Sequence, residues 1–562
     1  MNLIKFISRL GPGPLRRLLA WALLSAAASA GVLAVVNTAA RNIADRRSDV
    51  VELWWCAAFV LCLVIYAIAE SRMVAMLTAD VETAVDASRT RMLDRLSRAA
   101  LWKLERWNRV ELFDSVTRNC RLISMNSQFL ALTVRSAMLT IAVLIYIASV
   151  SLAAFLFIGG LLTLGAIVHR RLDHGLEDCR RAAIGPEAEM FDHVSDLFDG
   201  FKEQRLNSAR GRALAEGFAA ASAATTEARS ELHLHRWQQF VFGETAFNLM
   251  LGMVVFVVPA LSSGFAKSVD KVTAAVLFMA TPVFGLMQTV MIMGEAEAAA
   301  GAMMDLEERL EGLIELGSEP ERDRPDGAPP APPGYFSEIR FDGVEFSFPA
   351  PEGERPFRVG PIDLVLHRGE TVFITGGNGS GKSTLIKLLT GLYRPDRGVL
   401  SVDGRPVLAG EETALRERMA AVFSDFHLFP RLYGVDPEIA KGPRGAELLE
   451  EMEMDRTARI IDGERFDRRD LSVGQRKRLG MIAALLEHKP ILILDEWAAD
   501  QDPHFRKTFY RDFLPGLKFS GMTVIAVTHD DHYFDAADRR LRMEDGHLFE
   551  EAVDAPLWGA RS

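Results

Sequence analysis

The chain has few cysteines, no block of basic residues and, beyond about Glu295, no long apolar run. Each lack narrows what it can be. Its four cysteines, Cys56, Cys62, Cys120 and Cys179, form no CxxC pair and no metal-ligand spacing. That pattern argues against a disulfide framework or a thiolate metal centre, and Cys56 and Cys62, inside an apolar run, read as small buried hydrophobes. The formal net charge is −11. Without clustered cations to neutralise phosphates, nucleic acid is not expected as a partner. Breakers are scarce between Ser71 and Gln128 and between His169 and Gln239, so these long polar stretches are not loops.

What is present divides into two halves. Six apolar runs occupy the first, near Leu18–Val36, Val51–Ala69, Phe129–Val150, Leu152–Val168, Phe240–Leu261 and Val272–Met293. Crossing a bilayer takes about 20 helical residues, and lipid cannot satisfy free backbone groups, so these runs are expected to be spanning helices. The first run could instead be a cleaved signal peptide, but an even number of spans keeps both chain ends on one side. Lys5, Arg9, Arg16 and Arg17, the arginines from Arg72 to Arg109, and His169–Arg171 place that side in the cytoplasm. Arg41, Arg46 and Arg47 are a mild exception. The long stretches after spans two and four predict helices that continue far into the cytoplasm and carry short transverse elements, near Trp107–Asp114 and Asp199–Asn207. Polar residues within spans mark a pathway or an interhelical bond. Glu244 and Asn248, four apart on one helix face, and Arg135 are the candidates; Arg135 could also snorkel to the interface. Pro282 is expected to kink the sixth span.

Residues 1–313 therefore read as an all-α six-span domain, 314–336 as a proline- and charge-rich linker, and 337–562 as an α/β domain. In the last, an alternating stretch Ile339–Phe348 predicts a strand. Thr371–Thr375 predicts another, leading into GGNGSGKST and an apolar helix, Lys382–Leu392. Strand, GxxxxGKS and helix in that order are a phosphate-binding loop. Gly376, Asn378, Gly379, Ser380 and Gly381 let backbone N–H groups curl around phosphates, and the helix N-terminus adds its dipole. Lys382 reaches the β- and γ-phosphates, Ser383 ligates Mg²⁺, and Thr384 completes the loop. A further strand, Ile491–Leu494, delivers Asp495 to hold Mg²⁺ and Glu496 to deprotonate an attacking water. Thr523–Val527 ends at His529, placed to contact the γ-phosphate.

Leu471–Gln475, LSVGQ, stands one helix upstream of the Asp–Glu strand and resembles the signature motif of ATP-binding cassette (ABC) transporters. With GGNGSGKST, ILILDE and the following histidine, the resemblance covers the whole soluble half. It implies an exporter of the type I/IV fold with ATP and Mg²⁺ as cofactors. Phe348 stands where an aromatic stacks on adenine, and Asp502 where an aspartate couples two sites. Ser472, Gly474 and Gln475 would meet ATP held by a second copy, which implies a homodimer. Val473 replaces a glycine of the motif. Ser424 replaces a glutamine near Mg²⁺, and its shorter side chain bears on whether it reaches the metal. VFSDFHLF, LSVGQRKRL and DEWAADQDPHFRKTFY are similar to bacterial cyclic-peptide exporters of the pyoverdine and syringomycin type. That similarity implies ATP-driven export of a peptide-derived cargo across the bacterial inner membrane. A lipid flippase or multidrug exporter is the alternative, and no leader peptidase activity is expected.

Overall fold

The computed structural model describes residues 2–44, 53–107, 112–113, 115–150, 152–257, 269–314, 336–348 and 356–551. The linker Gly317–Gly334, the loop with Arg46 and Arg47, and Asn108–Glu111 with Asp114 of the first expected transverse element lie outside the described residues. The chain forms two compact units, Met1–Leu93 with Asn108–Arg309, and Asp94–Trp107 with Leu310–Ser562.

The first unit is helical. A short α1 (Asn2–Ser8) precedes α2 (Pro12–Ala44), α3 (Leu53–Ser97) runs on into the second unit, and a four-residue α4 (Leu101–Leu104) belongs there entirely. Then follow α5 (Cys120–Val150), α6 (Leu152–Asp199), α7 (Phe201–Leu206), α8 (Ser208–Phe256) and α9 (Val269–Glu311). Helices α3, α6 and α8 have 45, 48 and 49 residues. At 1.5 Å per residue each is about 70 Å long, more than twice a hydrocarbon core of ~30 Å. They must leave the bilayer, as the breaker-poor polar stretches predict. Among the described residues, Pro12–Ala39, Leu53–Ser97, Ser115–Ile145 and Phe155–Leu172 are long and apolar enough to span. The fifth and sixth apolar runs fall in α8 and α9, and the end of the fifth, beyond Val257, lies outside the described residues. Large apolar side chains on these helices, such as Leu23, Leu61, Ile145 and Leu156, are exposed, as lipid-facing residues are. Helix α9 continues through Pro282.

Two differences from expectation have physical causes. Cys56 is exposed on α3 rather than buried, because lipid as well as protein accepts a small apolar side chain. Arg135 does not snorkel. Its guanidinium donates to Glu70 Oε1 at 2.8 Å and to the Tyr66 hydroxyl at 2.9 Å, while Ser25 donates to Glu70 Oε2 at 2.7 Å. A carboxylate within reach on α3 satisfies the charge more completely than a distant interface. The first expected transverse element, Trp107–Asp114, lies largely outside the described residues; ahead of it stands the short helix α4, Leu101–Leu104. Its counterpart α7, Phe201–Leu206, lies within Asp199–Asn207, with Asn207 capping α8 by accepting from the Ala209 and Arg210 N–H groups.

A second buried carboxylate organises the N-terminal segment. Glu307 of α9 accepts from Ser88 and Arg91 of α3 and from Arg9, and Glu297 accepts the Leu3 N–H at 3.0 Å. Leu3, Phe6 and Ile7 are buried, so α1 is strapped to α9, and Arg9 just after it shares Glu307 with α3.

The second unit contains two main sheets, besides a two-stranded antiparallel pair, Ile460–Ile461 with Arg465–Phe466. One is antiparallel, β2–β1–β4–β5, from β1 (Glu338–Ser347), β2 (Arg358–His367), β4 (Arg397–Val402) and the short β5 (Arg405–Pro406). The other has the order β10–β9–β3–β8–β7–β6. Its strands are β3 (Thr371–Gly376), β6 (Met419–Val422), β7 (Ile491–Asp495), β8 (Thr523–Val527), β9 (Arg539–Glu544) and β10 (His547–Glu551). All neighbours except the β9–β10 hairpin run parallel. Strands β7 and β8 are buried at every position, as parallel strands covered on both faces are. Alternate residues separate into two cores: Leu492, Leu494, Val524 and Ala526 into one, Ile491, Ile493, Ile525 and Val527 into the other.

The Asp94–Trp107 segment docks on the second core. Leu101 and Trp102 pack against it, and the Ala100 N–H donates to the Leu313 carbonyl. Glu105 accepts from Lys387 Nζ at 2.7 Å and from the Tyr393 hydroxyl at 2.6 Å. Burial and the facing Glu105 carboxylate both push the Tyr393 phenol up, so it stays a donor.

The Glu70–Arg135 pair yields a stability test. Arg135→Ala leaves a carboxylate without its cation among apolar helices and should cost on the order of 3 kcal/mol. The midpoint of heat-induced aggregation of purified protein should fall by several degrees and largely recover in the Glu70→Gln/Arg135→Gln double variant.

Candidate functional site

Strands β3, β8 and β7 are adjacent and parallel, so their C-terminal tips line up along one edge of the sheet. Ligands of open α/β sheets bind at that edge. Beyond β3 the chain turns through Gly376–Gly381 into α10 (Lys382–Leu389), which is three residues shorter than expected because Thr390 caps it and Gly391 turns left-handed at φ +66°. Gly376 cannot be replaced: at φ +140° a Cβ would stand 2.2 Å from the Met543 carbonyl oxygen. Gly381, at φ +105°, starts α10. Lys382 is buried and donates from Nζ to the Gly376 and Gly377 carbonyls, both at 2.9 Å, which folds its ammonium back over the loop. The Ser380 hydroxyl is buried with no hydrogen-bond partner inside this turn. A cradle of backbone N–H groups, an ammonium and an unmet hydroxyl fits an anion of phosphate character.

Asp495 ends β7 and is 5 % exposed. Its carboxyl lies above the usual carboxylate range, chiefly because burial penalises the charge, against the bond donated by Ser424 Oγ at 3.0 Å. A buried carboxylate of this kind, with the exposed Ser383 hydroxyl, suits a hard divalent cation that completes its shell with phosphate and water oxygens. Such a cation needs no cluster of acidic or imidazole ligands, and among the described residues there is none. Ser424, which the resemblance sets near Mg²⁺ without deciding whether it reaches the metal, donates its hydroxyl to the Asp495 carboxylate.

Glu496 follows in a left-handed conformation, φ +51° and ψ +33°, uncommon for a residue with a Cβ. Its N–H donates to the Val527 carbonyl, and its Oε1 stands 3.3 Å from His529 Nε2. The His529 side chain is half exposed and that of Glu496 more than a third, open to a water. Phe348, just past β1, packs at 5.1 Å from Phe346 and 6.0 Å from Tyr393 between ring centroids, so one flat aromatic stands on a supported platform.

The signature turn precedes α11 (Val473–Leu486). Ser472 and Gln475 form a capping box: the Ser472 hydroxyl accepts from the Gln475 N–H, and the Gln475 side chain accepts from the Ser472 N–H. Ser472 and Val473 are exposed. Gly474 has no room for a side chain, because a Cβ would lie 2.6 Å from the Asp500 carbonyl oxygen. Asp502 caps α12 (Pro503–Thr508) by accepting the Phe505 N–H, which, with a 2.7 Å bond from Arg478, holds its carboxyl below the usual range. Sequence reasoning missed Arg478, which also donates to Gln501 and lies 3.5 Å over the Phe505 ring, as it missed Lys477 and Tyr393. Burial of a cation was the only signal, and it is not legible in a sequence.

In the helical unit, Thr140, Leu161, Gly165, Phe240, Phe247 and Met250 help line an apolar cavity of about 400 Å³. Glu244 and Asn248 do not line it. Both are exposed, with Asn248 donating to the Glu244 carbonyl at 2.9 Å.

A phosphate cradle, a buried metal-type carboxylate and an exposed carboxylate–imidazole pair on neighbouring strand tips define a nucleotide-binding P-loop domain, here joined to a bundle of membrane-length helices. The sequence profile described as ABC transporter matches residues 359–499, which enclose the phosphate loop, the signature turn and Glu496. The chain belongs to the ABC transporter family and is a multi-pass membrane protein. Over 322 residues it is 35 % identical to the ATP-binding protein SyrD of Pseudomonas syringae pv. syringae, covering 57 % of this chain and 56 % of the relative. The ATP-dependent lipid A-core flippase of Chromobacterium violaceum is 33 % identical over 238 residues, 40 % of each chain. The chain thus spans about half the length of these curated relatives, or less. The fold resembles that of a bacterial Atm1-family ABC exporter solved with ATP bound, with a TM-score of 0.73 at 18 % identity over 96 % of this chain and 95 % of that one.

The raised Asp495 carboxyl gives a prediction with a definite sign. Its folded-state pKa exceeds the unfolded value, so stability of nucleotide-free protein falls as pH rises through that window. Asp495→Asn should raise the unfolding midpoint at pH 7.5 and flatten its pH dependence, while Mg²⁺-dependent ATP hydrolysis falls ~10²-fold or more.

Proposed function

We propose that two copies of this chain form an exporter that uses ATP hydrolysis to move a peptide-derived cargo across the bacterial inner membrane, with both termini cytoplasmic. The observation that carries the reading is the pairing of a complete hydrolytic edge with an exposed signature turn in one unit. Val473 is 48 % exposed beside Ser472 at a helix N-terminus, a surface suited to the triphosphate of a second copy. In the dimer, Phe348 stacks on adenine and Lys382 swings from the loop carbonyls to the phosphates; Ser383 with Asp495 would hold Mg²⁺, which would supply positive charge against the phosphates. Ser424 orients Asp495 rather than binding the metal. Glu496 takes the proton of the attacking water, with His529 steering its carboxylate. Asp502 lies where the second copy's site would be sensed.

The 35 % match to SyrD and the resemblance to cyclic-peptide exporters support the peptide-derived cargo. A lipid or other hydrophobic cargo is the second reading, favoured by the apolar lining of the cavity at Phe240, Phe247 and Met250 and by the flippase relative. Glu244, Asn248 and the Glu70–Arg135 pair are the polar groups we assign to the pathway or its walls.

Glu496→Gln in purified, membrane-reconstituted protein should still bind Mg²⁺–ATP, lose ~10²–10⁴-fold in turnover, and accumulate as an ATP-bound dimer by light scattering. Undiminished turnover, or full activity from a chain that stays monomeric, overturns the reading. Stimulation of hydrolysis by cyclic lipopeptides but not by lipid A or hydrophobic drugs supports the first cargo class, and the reverse pattern the second.

A further inference from the structure

Helix α11 carries a lysine where its surroundings are least hospitable to one. The side chain of Lys477 is 3 % exposed. Removing an ammonium from water is costly unless it is paired and hydrogen-bonded. Two partners meet that cost, both from the segment that follows β7. Nζ donates to the backbone carbonyl of Glu496 at 3.0 Å and pairs with Asp500 Oδ2 at 2.8 Å. The link is reciprocal, since the indole N–H of Trp497 donates to the Lys477 carbonyl at 2.9 Å. Trp497 itself is 1 % exposed and packed against Phe505 and Phe509.

The carbonyl that Lys477 holds is the significant one. Glu496 is left-handed, at φ +51°, in a residue that gains nothing from that region, so its backbone persists there only because its neighbours over-determine it. Its N–H is fixed by Val527 on one side and its carbonyl by Lys477 on the other. Rotating the following peptide out of this geometry would strand a buried ammonium. The direction of the Glu496 side chain toward His529 therefore depends on a charge two residues beyond the Gln475 of the capping box.

We propose that Lys477 is a positioning residue for Glu496: it clamps the backbone that aims the water-activating carboxylate, and it ties that carboxylate rigidly to the signature turn on the same helix. In the dimer the turn meets one ATP and Glu496 serves the other. Lys477 is thus a direct mechanical link between the two sites, independent of Asp502. The inference rests on the reading of Glu496 given above.

The test is a double-mutant cycle on full-length reconstituted protein, reading kcat and KM for Mg²⁺–ATP in Lys477→Met, Glu496→Gln and the combined variant. A displacement of a catalytic group by about 1 Å can cost ~10²-fold. Lys477→Met should lower kcat 10- to 100-fold with KM changed less than about threefold, yet cost less than about twofold when Glu496→Gln is already present. An equal loss in both backgrounds, or a kcat within about threefold of wild type, overturns the proposal. Should Lys477→Met not fold, Asp500→Asn carries the test. Asp500 is nearly half exposed, and loosening the tether there should lower kcat about threefold or more in the wild-type background only. Full turnover in Glu496→Gln sinks the assignment of Glu496; an inactive Glu496→Gln beside a fully active Lys477→Met sinks only the role of Lys477.

Discussion

Strands β7 and β8 are sealed on both faces by separate hydrophobic cores, and the rest of the site depends on that seal. Their side chains leave no polar surface along the strand, so the chain first meets water at the strand tips. There it places Asp495, Glu496 and His529, with the phosphate loop at the tip of β3 on the far side of β8. Burial sets the electrostatics of each. It raises the Asp495 carboxyl, which prepares that site for a cation, while Glu496, one residue further on, stays open to water.

Buried cations form the second layer of the design. Lys382, Lys477 and Arg478 are all nearly inaccessible, and each is held by carbonyls, carboxylates or both. Lys382 rests on its own loop, a position from which an incoming phosphate can recruit it. Lys477 and Arg478 are adjacent on α11 and grip opposite ends of one segment, Glu496 and Asp502. A short stretch between β7 and α12 is thereby fixed to the signature helix at two points.

The helical unit uses the same logic in a drier setting. Glu70 is satisfied by Arg135 and Ser25, and Glu307 by Ser88, Arg91 and Arg9. Glu70 of α3 collects partners from α2 and α5, and Glu307 of α9 from α3 and the turn after α1, which fixes their register where nondirectional apolar contact cannot. On the α/β unit, Glu105 does likewise, binding Lys387 of α10 and the Tyr393 hydroxyl. Tyr393 in turn packs against Phe346 and Phe348, which connects the α4 turn to the end of β1.

The sequence alone determined the elements whose conformation is local. The phosphate loop is legible because its glycines are demanded by their own backbone angles. Strand β7 is legible because four aliphatic residues precede an Asp–Glu pair, and the capping box because Ser472 and Gln475 are three apart. The long helices follow from the scarcity of breakers. Tertiary structure decided everything that joins distant residues: Arg135 with Glu70, the Ser424 hydroxyl with Asp495, Glu105 with Tyr393, and Lys477 with the Glu496 carbonyl. A lysine or arginine in a helix reads as a solvated charge until packing removes the water, and only then does the identity of its partner decide what it does.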